Sequence, residues 1–317
     1  VFFSAAENAL PGHVQAKSWA ISLFKQVGVT IWLFFNAKRI ISRYRLGKLN
    51  IHSGAGGVLL LRKSSVPVIL TCHHTYWQHY RYIPAQFWKR IFYPFEKRSY
   101  RLADSIVCDC EDTRRVLIEQ YQVPEAKMTV IPYGVDTGLF FATDAPKTPC
   151  CALYIGRIDK RKGVDFLIES MPQVVRELPQ ATLLVGGRGK DLEKLKERVQ
   201  KLGLEKNVSF LGFVPDDQLN DLYNRAQCVI VPSVFEGFGI TVLEAAATGA
   251  RVVGTDVDGI RSTLKSGDYG TLVPYGDCQA MARAIVDELR TPKKPQSLGA
   301  EYRVDYFKRR YLELLDA

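Results

Sequence analysis

Two carboxylates eight residues apart, Glu236 and Glu244, are the side chains of this sequence best spaced to hold a ligand between them. Glu236 opens the turn Glu236-Gly237-Phe238-Gly239. An apolar run, Cys228 to Val231, precedes the turn, and a helical stretch, Ile240 to Thr248, follows it. Helical rise throughout would separate the carboxylates by about 12 Å. A glycosidase acid/base pair sits closer, roughly 5 to 9.5 Å apart. The two therefore do not serve one scissile bond. They suit the two ends of a long polyhydroxylated ligand, such as a sugar and a ribose joined by a diphosphate. The diphosphate would lie at the helix N-terminus, where free N–H groups and the dipole favour anions. Paired glycines at the turn allow close backbone approach. Spacing alone fits a solvated helix face equally well.

Cations and histidines stand at other turns of the same kind. Gly156-Arg157-Ile158-Asp159-Lys160-Arg161-Lys162-Gly163 follows the strand Ala152 to Ile155. Fixed cations there can neutralise a departing diphosphate, although a basic loop is more often plain surface. Lys160 and Arg161 read as solvated neighbours. Val66 to Thr71 reads as a strand that delivers Cys72-His73-His74-Thr75 at its carboxyl end, where ligands gather in open α/β sheets. A lone histidine is more often structural than functional. Gly186-Gly187-Arg188-Gly189 breaks the GxGxxG pattern, which argues against a dehydrogenase.

These turns need a scaffold of alternating strands and helices. From Ala152 onward the alternation is plain and predicts a parallel sheet. The start differs. No strand with a glycine-rich turn opens the chain, and a helical stretch is expected from His13 to Leu46, with Val27 to Phe35 as a buried face. Gly54-Ala55-Gly56-Gly57 follows a later strand ending at Asn50-Ile51-His52. Within Tyr76 to Arg101, Phe87, Trp88, Ile91, Phe92 and Phe95 recur at helical spacing and are expected in the core. Further strands are expected at Asp104 to Asp109 and Met128 to Ile131, with a helix at Asp112 to Tyr121 and a terminal helix at Tyr302 to Leu315.

The chain has 317 residues, enough for two domains. No run of 18 apolar residues suggests a spanning helix. Seven cysteines without zinc-type spacing read as free thiols in a reducing compartment. Charge is uneven: residues 1 to 101 hold 15 Lys/Arg against 2 acids, a net of +13, which leaves −3 for the rest of a chain of net +10. A basic amino-terminal half implies an anionic partner, of which a membrane surface or phosphorylated acceptor ranks above nucleic acid.

The segment EGFGITVLEAAATGARVVGTD resembles the Glu-x7-Glu signature of the retaining glycosyltransferases of family four, the group 1 glycosyl transferases. The resemblance covers nearly all of the carboxyl half and the amino half from about Ile51. It implies the α/β GT-B fold, two Rossmann-like domains facing a cleft. The domains expected are 1–145 on the acceptor side, 146–300 holding the nucleotide-sugar, and a terminal helix over 301–317 crossing back. The family's opening strand and glycine-rich loop are not visible, so a truncated start is expected. By resemblance Glu236 holds donor-sugar hydroxyls, Glu244 holds the ribose, and Arg157 and Lys162 hold the diphosphate. VPVILTCH resembles the segment ending in an active-site histidine, which matches His73, with His74 as the competing neighbour. Together His73, Arg157, Lys162 and Glu236 form the implied catalytic set. The implied donor-binding set is Gly156, Gly187, Gly212, Phe213, Val214, Gly237, Phe238, Gly239, Ile240 and Glu244. Pro132-Tyr133-Gly134-Val135-Asp136 resembles the interdomain turn, with Tyr133 where asparagine is commoner. Asp258 and Arg261 stand where the family has glycine and glutamate. Asp256-Val257-Asp258 spells the metal motif of the other glycosyltransferase fold and is discounted here.

The activity implied is a hexosyltransferase, EC 2.4, using a UDP- or GDP-sugar as co-substrate with no metal or other cofactor. It passes the sugar to an acceptor, lipid-linked in one reading, from the inner, cytoplasmic face of a membrane. The alternative is a non-catalytic sugar-nucleotide-binding protein of the same fold. No signature of a pyridoxal-phosphate phosphorylase is present.

Overall fold

The computed structural model describes residues 2–4, 13–15, 19–53, 59–264, 269–291 and 296–316. Its contacts divide the chain into two compact units, Val1–Ile131 and Pro132–Ala317.

The first unit opens with strands β1 (Phe2–Ser4) and β2 (His13–Gln15), paired in parallel, then helix α1 (Trp19–Tyr44). One expectation is corrected here: His13 begins a strand, so the helix starts only at Trp19. Phe2–Ser4 forms a strand, and the segment that follows it lies outside the described residues. Pairing with Phe2–Ser4 overrides whatever helical preference His13–Gln15 has. The Gly54 to Gly57 run lies outside the described residues. Strands β3 (Leu49–Ser53), β4 (Val68–Cys72), β5 (Ser105–Cys108) and β6 (Met128–Val130) form one parallel sheet in that order. All five residues of β4 are buried, as a parallel strand covered on both faces requires. Helices α2 (Tyr76–Tyr82), α3 (Tyr93–Leu102) and α4 (Glu111–Tyr121) pack around it. Thr75 and Gln78 form a capping box at the start of α2, so the chain turns into helix directly after His73 and His74.

The aromatic stripe expected in this unit's core is not there. Phe87, Trp88, Ile91 and Phe95 are 58%, 61%, 66% and 48% exposed. Pro84–Phe92 winds as a 3-10 helix, at 3.0 residues per turn, so apolar side chains spaced for an α-helix do not align toward the sheet. Tyr76, Ile83 and Tyr100 fill the interior instead, and Phe92 alone of the stripe stacks inward, on Tyr76, at 5.0 Å. In α1, Thr30 and Ile40 are buried, but Phe35 is exposed.

The second unit is one six-stranded parallel sheet. Its strands are β7 (Cys151–Ile155), β8 (Thr182–Gly186), β9 (Val208–Gly212), β10 (Cys228–Val231), β11 (Arg251–Thr255) and β12 (Gly270–Val273). Helices α5 (Val164–Glu177), α6 (Leu192–Lys201), α7 (Asp216–Arg225), α8 (Ile240–Ala247), α9 (Asp258–Leu264) and α10 (Cys278–Arg290) follow the strands in alternation. The spatial order is β12-β11-β10-β7-β8-β9, the doubly wound arrangement with its order reversing between β7 and β10. Helix α11 (Val304–Asp316) ends the unit, tied by hydrogen bonds between Val135 and the Tyr302–Val304 segment.

Candidate functional site

In a doubly wound sheet, ligands bind outside the carboxyl ends of the two strands where the order reverses. Here those strands are β7 and β10. The turn after β7 carries Arg157 to Lys162, and the turn after β10 carries Glu236. Backbone joins the two turns: Val234 N donates to Arg161 O at 2.8 Å. Gly163 makes the approach possible. It adopts φ +64°, and a Cβ there would lie 1.9 Å from Pro232 O. Any other residue would push apart the turns that bring lysine to glutamate.

Glu236 sits between two cations. Lys162 Nζ donates to Oε2 at 2.5 Å, and Arg161 Nη1 donates to Oε1 at 3.2 Å. The three side chains are only 14 to 19% exposed. Burial raises the Glu236 carboxyl, but Lys162 and Arg161 outweigh it and hold the group down at about 2. Glu236 is therefore a fixed anion that can only accept hydrogen bonds, as sugar hydroxyls require. Arg161, expected as a solvated neighbour, is instead partly buried at the site. Its guanidinium turns inward, grips Glu236 and lies 5.5 Å over the Phe235 ring. Lys160 does point outward, pairing with Asp165. Arg157 is not gathered with Glu236: it is exposed, 3.8 Å from Asp159, with its carbonyl held by Tyr154 Oη at 2.7 Å.

Gly239 adopts φ +86° as the N-cap of α8, and no side chain caps the helix there. Its first N–H groups are oriented as an anion site requires. Glu244 lies on α8, its Oε2 accepting from Tyr223 Oη at 2.7 Å. Burial lifts this carboxyl above the usual range, against the hydrogen bond from Tyr223. Tyr223, fully buried on α7, is a partner the linear pattern did not reveal. Gly237 and Phe238 are buried, and the Phe238 ring packs on Tyr133 at 5.3 Å, so this residue offers backbone to the turn. Ile240 is 44% exposed beside it.

The rest of the donor-binding set lines the adjacent strand ends. Gly187 N donates to Gly212 O at 2.6 Å, and Gly156 N donates to Gly186 O at 3.0 Å. Phe213 is exposed next to Val214, with the Arg188 guanidinium 5.2 Å from its ring. Asp256, half of the discounted Asp-x-Asp, pairs with Arg261 at 2.5 Å. Among the described residues, no group of three or more His, Cys, Asp or Glu is arranged to hold a metal.

In the first unit, His73 and His74 follow β4 and take different partners. His73 Nε2 meets His52 Nδ1 at 2.8 Å, whereas the His74 ring packs against His79 at 4.8 Å. Burial, then the neighbouring His52, bring His73 down to about 4, so it is neutral at neutral pH.

Residues 136–304, more than half of the chain, match the family described as glycosyl transferases group 1, and residues 1–139 match glycosyltransferase family 4. Glycogen synthase of Mycobacterium tuberculosis (strain ATCC 25618 / H37Rv) is 28% identical over 242 residues, 75% of this chain and 58% of the synthase. The chain spans about half the length of the curated relatives it matches. Sucrose-phosphate synthase from Thermosynechococcus elongatus superposes with a TM-score of 0.80 at 21% identity, covering 96% of this chain and 82% of that one. Anabaena HepE, solved in complex with UDP, superposes with a TM-score of 0.71 at 17% identity, covering 96% and 85%. With two Rossmann-like units of the GT-B type and this match, the chain belongs to the group 1 glycosyl transferases.

Proposed function

We propose that this protein is a retaining hexosyltransferase that moves a sugar from a nucleotide-diphosphate donor to a lipid-linked acceptor, without a metal. The observation that carries the reading is Glu236 held between Lys162 and Arg161 at the reversal point of the sheet. The carboxylate orients donor-sugar hydroxyls. Lys162, Arg157 from the turn's outer edge, and the N-terminus of α8 stabilise the leaving diphosphate, the charge-stabilising task a metal performs elsewhere. Glu244, steadied by Tyr223, takes the ribose. UDP bound to HepE supports a nucleotide donor. Departure of the diphosphate through an oxocarbenium-like state, with the acceptor attacking from the same face, accounts for retention without a protein nucleophile. His73 contacts donor or acceptor.

The acceptor reading rests on the first unit's surface. Phe87, Trp88, Ile91 and Phe95 are exposed together, and Lys89 and Arg90 lie 5.9 Å over the Trp88 and Phe87 rings. Exposed aromatics interleaved with cations suit an anionic bilayer interface. Each cation near the leaflet contributes on the order of 1 kcal/mol. No helix among the described residues is long and apolar enough to cross a membrane.

A thermal-shift screen of UDP- and GDP-sugars identifies the donor, since a ligand of the folded state raises the midpoint by mass action. Transfer to lipid acceptors in anionic vesicles is then followed with and without excess chelator. Chelator-resistant transfer with retained anomeric configuration is expected. A donor that binds without any transfer would favour the non-catalytic reading. Loss of activity in chelator, restored by Mn²⁺ or Mg²⁺, would refute the metal-free mechanism.

A further inference from the structure

His73 sits at the end of a chain of polar side chains. The parallel register sets His52 of β3 beside Thr71 of β4. Residues two apart on a strand share a face, so Asn50, His52, Thr71 and His73 gather on one side of the sheet. Thr71 Oγ1 donates to Asn50 Oδ1 at 3.1 Å. Asn50 Nδ2 faces His52 Nε2 at 3.5 Å. His52 Nδ1 meets His73 Nε2 at 2.8 Å, with the two rings inclined by only 21°.

Proton positions follow from what each atom can do. An amide nitrogen only donates, so the His52 Nε2 that faces it keeps its lone pair. A neutral imidazole carries one proton, which in His52 is then on Nδ1 and is donated to His73 Nε2. The proton of His73 is thereby left on Nδ1. The opposite sense would set N–H groups head to head at Asn50. Burial also lowers His52, so neither ring is charged at neutral pH.

We propose that Asn50 and His52 are positioning residues that lock His73 in the neutral tautomer protonated on Nδ1, so that it meets its ligand as a hydrogen-bond donor and not as a base. The ligand chemistry that an imidazole N–H recognises is a hydroxyl or phosphate oxygen. This part rests on the transferase reading; the tautomer does not.

Long-range ¹H–¹⁵N correlation spectra of histidine-labelled protein test the relay directly, with His73 assigned from the signal lost in His73→Asn. In the unmodified protein, His73 should show a protonated Nδ1 and a bare Nε2. Asn50→Asp replaces the donor with an acceptor, which favours the His52 tautomer protonated on Nε2 by accepting its hydrogen bond and so inverts the chain, and the two His73 signals should exchange character. His52→Phe keeps ring bulk but removes the donor, and should leave His73 averaging between tautomers. His52→Asn, whose amide can donate from near the Nδ1 position, should restore the original pattern. A His73 protonated on Nε2 in the unmodified protein overturns the proposal, as does a tautomer unmoved by Asn50→Asp. Transfer should fall about tenfold in Asn50→Asp, the scale of one lost hydrogen bond. Unchanged transfer with an inverted tautomer overturns the donor role of His73. If no transfer is found at all, the activity reading fails, and the spectra still decide the relay.

Discussion

Two glutamates, Glu236 in the second unit and Glu96 in the first, occupy opposite electrostatic settings. Glu236 is gripped by Lys162 and Arg161, and its carboxyl is held down at about 2 despite burial. Glu96 on α3 is fully buried and, among the described residues, accepts from neutral donors: Tyr76 N at 2.9 Å, Tyr100 Oη at 3.2 Å and a short contact from Tyr121 Oη. Burial pushes its carboxyl up to about 8, against those hydrogen bonds. The second unit therefore stores separated charge at the strand ends where the proposed donor would bind. The first unit positions its residues with neutral groups: Glu96 ties the start of α2, just beyond His73 and His74, to α3 and α4, and His73 itself is uncharged at neutral pH. Under the proposed function, ionic preorganisation would serve phosphate and sugar binding. A hydrogen-bonded neutral frame serves geometry alone.

The comparison breaks most visibly if Glu236 is removed. Glu236→Ala leaves two buried cations unpaired, and opening a buried ion pair costs about 3–5 kcal/mol. It should reduce transfer by about 100-fold or more, the scale of losing one preorganised electrostatic contact, yet leave affinity for the nucleoside diphosphate product largely intact. Lys162→Ala should weaken both donor and product binding, because both carry the diphosphate. Calorimetric titration with the diphosphate, beside initial rates, separates the two. Near-normal turnover of both variants at saturating donor would remove Glu236 and Lys162 from the site.

The same contrast has a pH signature of opposite sign. Glu236 is lowered from 4.5 to about 2. Its contribution, on the order of 3 kcal/mol, is present above pH 4.5 and is lost as pH falls toward 2. Glu96 is raised from 4.5 to about 8, so its contribution is full below 4.5 and is lost as pH rises toward 8. Denaturant midpoints between pH 5 and 9 should therefore fall on the alkaline side, and Glu96→Gln should flatten that slope. An unchanged slope in the variant would show that Glu96 is ionised in the folded protein.

The site was legible to different depths in the two units. Cys228–Val231 is a continuous buried run bounded by a glycine turn, so the strand ends carrying Glu236 and Lys162 could be read from pattern. Arg161 could not. Nothing linear in Lys160-Arg161-Lys162 says which cations turn inward; that follows from the Val234–Arg161 hydrogen bond and the close pass of Gly163 under Pro232. In the first unit, the strand before His73 was clear, but His52 is its neighbour only through parallel register, 21 residues away in sequence. The aromatic stripe failed for a different reason. Its spacing fits an α-helix, whereas the segment Pro84–Phe92 winds as a 3-10 helix.

A smaller effect sharpens the reading of the basic turn. Arg161 is 17% exposed and paired to Glu236, whereas Lys160 is 66% exposed and paired to Asp165. Arg161→Ala should lower transfer about tenfold, since one of two cations on Glu236 is lost while Lys162 remains. Lys160→Ala should be within error of the unmodified protein, as solvent-exposed ion pairs contribute little. Equal losses in the two variants would mean the turn acts as a diffuse basic surface rather than through one inward side chain.

The smallest expected change in stability is at the exposed stripe. Were Phe87 and Trp88 in the core, truncating either would cost about 3–5 kcal/mol. At 58% and 61% exposure they have little burial to lose, and Phe87→Ser and Trp88→Ser should each stay within about 0.5 kcal/mol in denaturant unfolding. The same variants should nonetheless weaken flotation with anionic vesicles, because there the rings would exchange water for the headgroup region. Neutralising Lys89, Arg90, Lys97 and Arg98 together should weaken flotation further. Binding that remains should fade with added salt as the screening length contracts from about 8 Å at physiological ionic strength. Unfolding midpoints that drop sharply would return these residues to the core. Unchanged stability with no vesicle binding, even at low salt, would leave the exposure intact and shift the acceptor from a lipid to a soluble anion.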